Sequence, residues 1–258
     1  MTSFEWLAVA YFVAIATAAR RAATPRRALL YAGGAVALII VARFTLPWSA
    51  RAWMPVAYLL LGYWIPAAFA PPPSPRFERW LALADARVRA RVPHLTSRWC
   101  GLSDAGREVL ELSYLLCYPL VPAAFAVVVV HGSEGDVERF WLGVLAAGYM
   151  CYGTLPWTTA RPPWRMTGQE AARLGLARVN VQVLGRLSHQ FVTFPSGHVA
   201  VATAAALGAA RVSPAAGAGL GVLVALIAVA AVAGRYHYLV DVLLGLFVGA
   251  VVPRFMGS

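Results

Sequence analysis

The sequence contains no lysine: all 22 of its basic residues are arginine, set against only 11 acidic ones. The arginines fall in short breaks between apolar runs and do not line one polar face, which argues against a nucleic-acid binder. Cysteine is scarce as well. Cys100, Cys117 and Cys151 lack the paired spacing of a zinc site, two of them lie in or beside apolar runs, and they read as packing residues. No acidic cluster of the kind that holds magnesium with a nucleotide is present, nor a glycine-rich nucleotide loop, nor an internal repeat. The first apolar stretch, Phe4 to Ala19, has no basic segment before it and no small-residue cleavage site after it, so it reads as a retained span.

What the chain has in abundance is apolar surface. Of its 258 residues 60% are hydrophobic, and the mean hydropathy is +0.66, far above a soluble domain with one core. Apolar runs near 4–19, 28–47, 53–70, 109–130, 139–155, 197–212, 214–233 and 238–253 are each long enough to cross a bilayer as a helix. The expected fold is therefore all-α, a polytopic transmembrane helical bundle of about eight spans. Trp6, Trp48, Trp53, Trp64, Trp141 and Trp157 lie at or near the ends of these runs, where an amphipathic ring suits the headgroup layer. Two long polar breaks interrupt them. In the first, residues 77–92 alternate apolar and arginine positions at helical spacing, as an interfacial helix would. The reading divides the chain into N-terminal helices with an interfacial segment, 1–108, and a core that carries the chemistry, 109–258.

Three segments at the mouths of spans hold the chemically informative residues: LPWTTARPPWR (155–165), FPSGHVA (194–200) and GRYHYLVDVLLG (234–245). The last two are separated by two crossings, which return the chain to one membrane face and let His198 and His237 meet. His237 and Asp241 are four residues apart, so on one helix face the carboxylate can accept the imidazole proton and leave the other ring nitrogen free. An acid so near a span is costly unless partnered. Pro195 suits a helix start, where Ser196 and Gly197 offer a hydroxyl and a backbone donor to phosphate at the positive end of the dipole. His198 projects from the first turn and can protonate a leaving oxygen. Arg161, Arg165 and Arg235 supply charge for non-bridging phosphate oxygens, or else anchor the chain at the interface.

FPSGH followed some forty residues later by HYLVD resembles the motifs of the type 2 phosphatidic acid phosphatase superfamily, over about residues 150–250. The resemblance implies a helical-bundle core and a metal-free, cofactor-free reaction through a phosphohistidine. His237 would be the nucleophile, Asp241 its orienting partner and His198 the general acid. Ser196 and Gly197 would hold phosphate, and Arg161 with Pro162 would match an Arg-Pro motif. Two positions depart from the phosphatase pattern: its lysine is Thr154 here, and an arginine six positions before the nucleophile is Ala231. The shorter signature is more similar to the inositolphosphoceramide synthase and sphingomyelin-synthase-like lipid phosphotransferases, with Arg235 substituting for the lost arginine.

These readings imply a membrane-embedded lipid phosphatase or phosphotransferase acting on a phospholipid, sphingolipid or isoprenoid-phosphate. A headgroup transferase is the first alternative and a non-catalytic lipid-binding or transport protein the second. The expected location is the plasma (inner) membrane, as an integral multi-pass protein. By parity the breaks 20–27, 71–107 and 156–195 share a face, and they hold 16 arginines. Arginine bias would turn that face to the cytoplasm, whereas most relatives work on the outer face.

With arginines and a helix start in place of a metal, turnover is expected to persist in chelator. Assay of the purified protein with and without EDTA checks this, and loss of turnover restored by a divalent ion would contradict it.

Overall fold

The computed structural model describes residues 1–19, 25–91, 102–166 and 175–256. Cys100 lies outside them. Helices make up 81% of the structure, and the only extended pairing among the described residues is a bridge between Ala160 and Val192. The all-α expectation therefore holds.

In chain order the helices are α1 (Ser3–Ala18), α2 (Pro25–Thr45), α3 (Trp48–Arg51), α4 (Met54–Ala67), α5 (Pro75–Arg91), α6 (Asp104–Leu115), α7 (Cys117–His131), α8 (Glu134–Tyr152), α9 (Pro163–Met166), α10 (Gly175–Leu187), α11 (Gly197–Val212), α12 (Pro214–Ala233) and α13 (Leu239–Phe255). By length and composition two of the described helices, α2 and α12, can each cross a bilayer alone. The pair α6 and α7 adds a third if it is taken as one span bent by 59° at Leu116. Helices α1 and α11 are apolar but shorter.

Local sequence explains the boundaries. Ser133 caps α8, accepting the Asp136 amide, while the Asp136 carboxylate accepts the Ser133 amide at 2.9 Å, the reciprocal pairing of a capping box. Ser213 caps α12, with Pro214 in the first turn, where its missing donor costs nothing. The interfacial segment is helical over Pro75–Arg91.

Helix α11 is the hub of the bundle, packed against α7, α8, α12 and α13. Its wall is mostly alanine and valine, including Ala200, Ala204, Ala205 and Ala209, all buried. Small side chains let helix backbones approach closely, which matters where lipid supplies no hydrophobic drive between helices. One such close approach is with α13. A Cβ on Gly245 would lie 2.6 Å from the Ser196 carbonyl oxygen, and one on Gly249 would lie 2.7 Å from the Thr203 Cβ. Cys117 and Cys151 are buried free thiols, consistent with packing.

One aromatic departs from expectation. Trp141, expected at an interface, is fully buried against Phe125 and Phe140. Capping by Ser133 starts α8 five residues before its apolar run, so Trp141 sits two turns into the helix and faces the core.

Gly249→Ala should therefore lower stability by about 1–3 kcal/mol through overpacking. Gly221→Ala, in open space on α12, should be neutral or slightly stabilising through helix propensity. Thermal unfolding of both variants in one detergent measures the contrast; equal behaviour would show that the α11–α13 contact yields without cost.

Candidate active site

Two helix starts and two loops build the site. At the first start, the cis-linked Phe194–Pro195 leads into Ser196, the cap residue of α11. The Ser196 amide donates to the Asp241 carbonyl oxygen at 3.0 Å, so the start of α11 is hydrogen-bonded to the main chain of α13. The Gly197 amide donates to the Thr193 hydroxyl at 2.8 Å. A side chain at 197 would collide with the Tyr152 ring, which requires glycine there.

At the second start, α12 ends at Ala233 and the chain turns through Gly234 and Arg235, the latter at φ 59°. The His237 amide donates to the Ala231 carbonyl at 2.9 Å, and the Trp164 amide to the Arg235 carbonyl at 3.0 Å. His237 thus precedes the cap residue Tyr238 and is not itself helical, whereas Asp241 is the third residue of α13. The expected pairing on one helix face is instead a pairing across a helix start. The result is the same contact, His237 Nδ1 to Asp241 Oδ2 at 3.3 Å, with both side chains buried.

The rings of His198 and His237 meet edge to face, with centroids 5.8 Å apart. Both line a small cavity whose wall also includes Tyr63, Tyr114, Arg165 and Gln190. Tyrosine rings surround His198: Tyr63 and Tyr118 each lie at 5.9 Å and Tyr114 at 6.2 Å. The Ser196 hydroxyl, His198 Nδ1 and Asp241 Oδ1 are buried without a hydrogen-bond partner among the described residues. Buried polar atoms are ordinarily satisfied, and such exceptions mark places where a ligand or water completes the set.

The three arginines separate. Arg165 lines the cavity, its guanidinium over the Trp164 ring and hydrogen-bonded to Gln190. Arg161 is not in the wall. Its guanidinium forks onto Glu78 of α5, with Nε to Oε1 and Nη2 to Oε2 both at 2.8 Å, and its amide donates to Oε1 at 2.9 Å. Arg235 is exposed and also outside the wall, because its left-handed backbone turns the chain there. Gly197 offers no spare donor, since Thr193 already takes it. At the departures noted in the sequence, the Thr154 hydroxyl bonds the Cys151 and Phe194 carbonyls, and Ala231 is fully buried beside Tyr114 and Tyr236.

Several residues here escaped sequence reasoning. Glu78 is one; an acid set among the arginines of α5 was the available signal. Asp85, on the same helix, accepts the amide of Leu239 at the start of α13. His189 is another, its ring 4.1 Å from that of Tyr63. Burial pushes its pKa down to about 3, with His237 pushing the same way, so it is neutral at pH 7. Glu111 accepts the Tyr236 hydroxyl and the Asn180 amide, each at 2.6 Å.

Hydrogen bonding from Arg161 holds the Glu78 carboxyl below the usual carboxylate range, although burial opposes this. A carboxylate whose pKa is depressed by folding contributes stability above its unfolded pKa, about 4.3, and loses it as pH falls through the folded value. The difference in unfolding temperature between wild type and Glu78→Gln should therefore be present at pH 7 and shrink on acidification below that range. A difference constant with pH would mean that the glutamate acts through packing alone.

A family model described as the PAP2 superfamily matches residues 79–253. The chain matches no curated protein and no solved structure.

Proposed function

Because the chain belongs to the PAP2 superfamily, whose members are phosphoesterases or phosphotransferases, we propose that it cleaves a lipid phosphoester through a phosphohistidine on His237. The observation that carries this reading is the pair of imidazoles 5.8 Å apart on one cavity wall, one of them backed by a buried carboxylate.

With Nδ1 engaged by Asp241, the Nε2 lone pair of His237 attacks phosphorus, and the bond from phosphorus to the lipid oxygen breaks as the new nitrogen bond forms. His198 gives the departing oxygen its proton. In the second half-reaction His198 takes a proton from water, or from a lipid hydroxyl, as that oxygen attacks phosphorus and frees His237. Asp241 holds the attacking ring in one tautomer and offsets the charge it gains. Arg165 stabilises the non-bridging oxygens from the wall, and the Ser196 hydroxyl, buried outside the cavity lining and without a partner among the described residues, is the further donor in this reading. Arg161 joins them only by exchanging the Glu78 carboxylate for phosphate, a like-for-like swap of one oxyanion for another.

Transfer to a second lipid is the competing fate of the phosphohistidine. It is favoured by the aromatic wall of Tyr63, Tyr114 and Tyr236 and by the absence of the phosphatase-type lysine and arginine at Thr154 and Ala231. The substrate is an amphiphile, because the site lies at the mouth of an apolar bundle. In this reading α1, α4, α8, α11 and α13 also cross the bilayer, which with α2, α12 and the α6–α7 pair gives about eight spans.

The two histidines separate by leaving group. An aryl phosphate needs little protonation as it departs, so His198→Ala should form phosphoenzyme from an aryl phosphate and fail on an alkyl lipid phosphate. His237→Ala should fail on both, and Asp241→Asn should retain a small remainder. Acid-quenched trapping with radiolabelled substrates measures this, and an acid-labile adduct in His237→Ala would rule out His237 as the nucleophile.

A further inference from the structure

At the end of the bundle away from the histidines, the start of α8 and the ends of α11 and α13 form a second cavity. Its rim carries Arg139, Arg211 and Arg254, with Asp136 as its one acid. That acid is already engaged: its carboxylate accepts the Ser133 amide at 2.9 Å, the Ser133 hydroxyl at 2.7 Å and Arg139 Nη2 at 2.7 Å. Among the described residues Arg211 and Arg254 make no side-chain ion pair or hydrogen bond, and both are exposed. Two guanidinium groups from different helices thus converge on one opening.

Below the rim the wall is apolar. Phe140, Leu207, Ala250 and Pro253 line it, on helix faces that descend toward the bundle centre. Cationic rim and apolar floor together match an amphiphile with an anionic head. Arginine presents paired donors that suit two oxygens of a phosphate. A water-soluble anion would use the rim and leave the floor unfilled.

We propose that this cavity binds the phosphate headgroup of an anionic phospholipid, held by Arg211 and Arg254, with acyl chain on the floor formed by α8, α11 and α13. The site is distinct from the one containing His198 and His237. The two lie at opposite ends of α11, about 24 Å apart at 1.5 Å per residue over 16 residues. Lipid bound here would stay on the protein through turnover.

Native mass spectrometry of the whole protein, with dioleoylphosphatidylglycerol or dioleoylphosphatidylcholine added, tests the assignment. Wild type should retain phosphatidylglycerol at least ~10-fold more strongly than phosphatidylcholine, the scale expected for two charge-assisted contacts. Arg211→Gln/Arg254→Gln should lose that preference while keeping turnover at the other end within about twofold. Arg43→Gln, which removes an arginine from the last turn of α2 at the same end of the bundle, should keep it. Undiminished preference in the double variant, or an equal loss in Arg43→Gln, would overturn the proposal. Displacement of phosphatidylglycerol by millimolar glycerol 3-phosphate would overturn the lipid assignment in favour of a soluble phosphate.

Discussion

Two glycines on one helix face, Gly245 and Gly249, let the backbones of α11 and α13 touch, and the arrangement of the candidate site follows from that contact. At ordinary helix spacing, 8–10 Å between axes, the Ser196 amide could not reach the Asp241 carbonyl. The two imidazoles would then be carried on separate bodies. With the backbones in contact, one hydrogen bond joins the helix start that carries His198 to the helix that carries Asp241. The alanine-rich wall of α11 serves the same end on its other sides, where α7, α8 and α12 pack.

Much of this was legible in the sequence because it is local. The FPSGH segment specifies a helix start, HYLVD specifies a histidine with an acid four residues on, and the two intervening helices return both to one end of the bundle. The caps at Ser133 and Ser213 act within a turn, but the apolar runs alone did not disclose them. That the segment over Pro75–Arg91 is helical was legible from the spacing of its arginines and apolar residues.

What was not legible depends on contacts distant in sequence. Glu78 and Arg161 are 83 positions apart, and no pattern at either position announces that the guanidinium is already occupied. Arg235 looked like a phosphate ligand by its distance from His237, but its left-handed backbone turns it out of the wall. Trp141 looked interfacial by its place at the start of an apolar run and is instead core, because capping by Ser133 starts the helix earlier. His189 was passed over because only the fold brings Tyr63 against it. In each case a side chain's direction was set by a tertiary partner, whereas the local pattern specified only its position.

The link between the Ser196 amide and the Asp241 carbonyl is made by main-chain atoms alone, which has a consequence for how such a site can diversify. So long as Gly245 and Gly249 keep the two backbones in contact, the relation between the two histidines is held by groups that no substitution deletes, short of proline at 196. The surrounding surface of Tyr63, Tyr114, Arg165 and Gln190 is made of side chains, each replaceable without disturbing that relation. Reactive geometry and molecular preference are thereby inherited separately: the first is fixed in the backbone, and the second can drift one residue at a time.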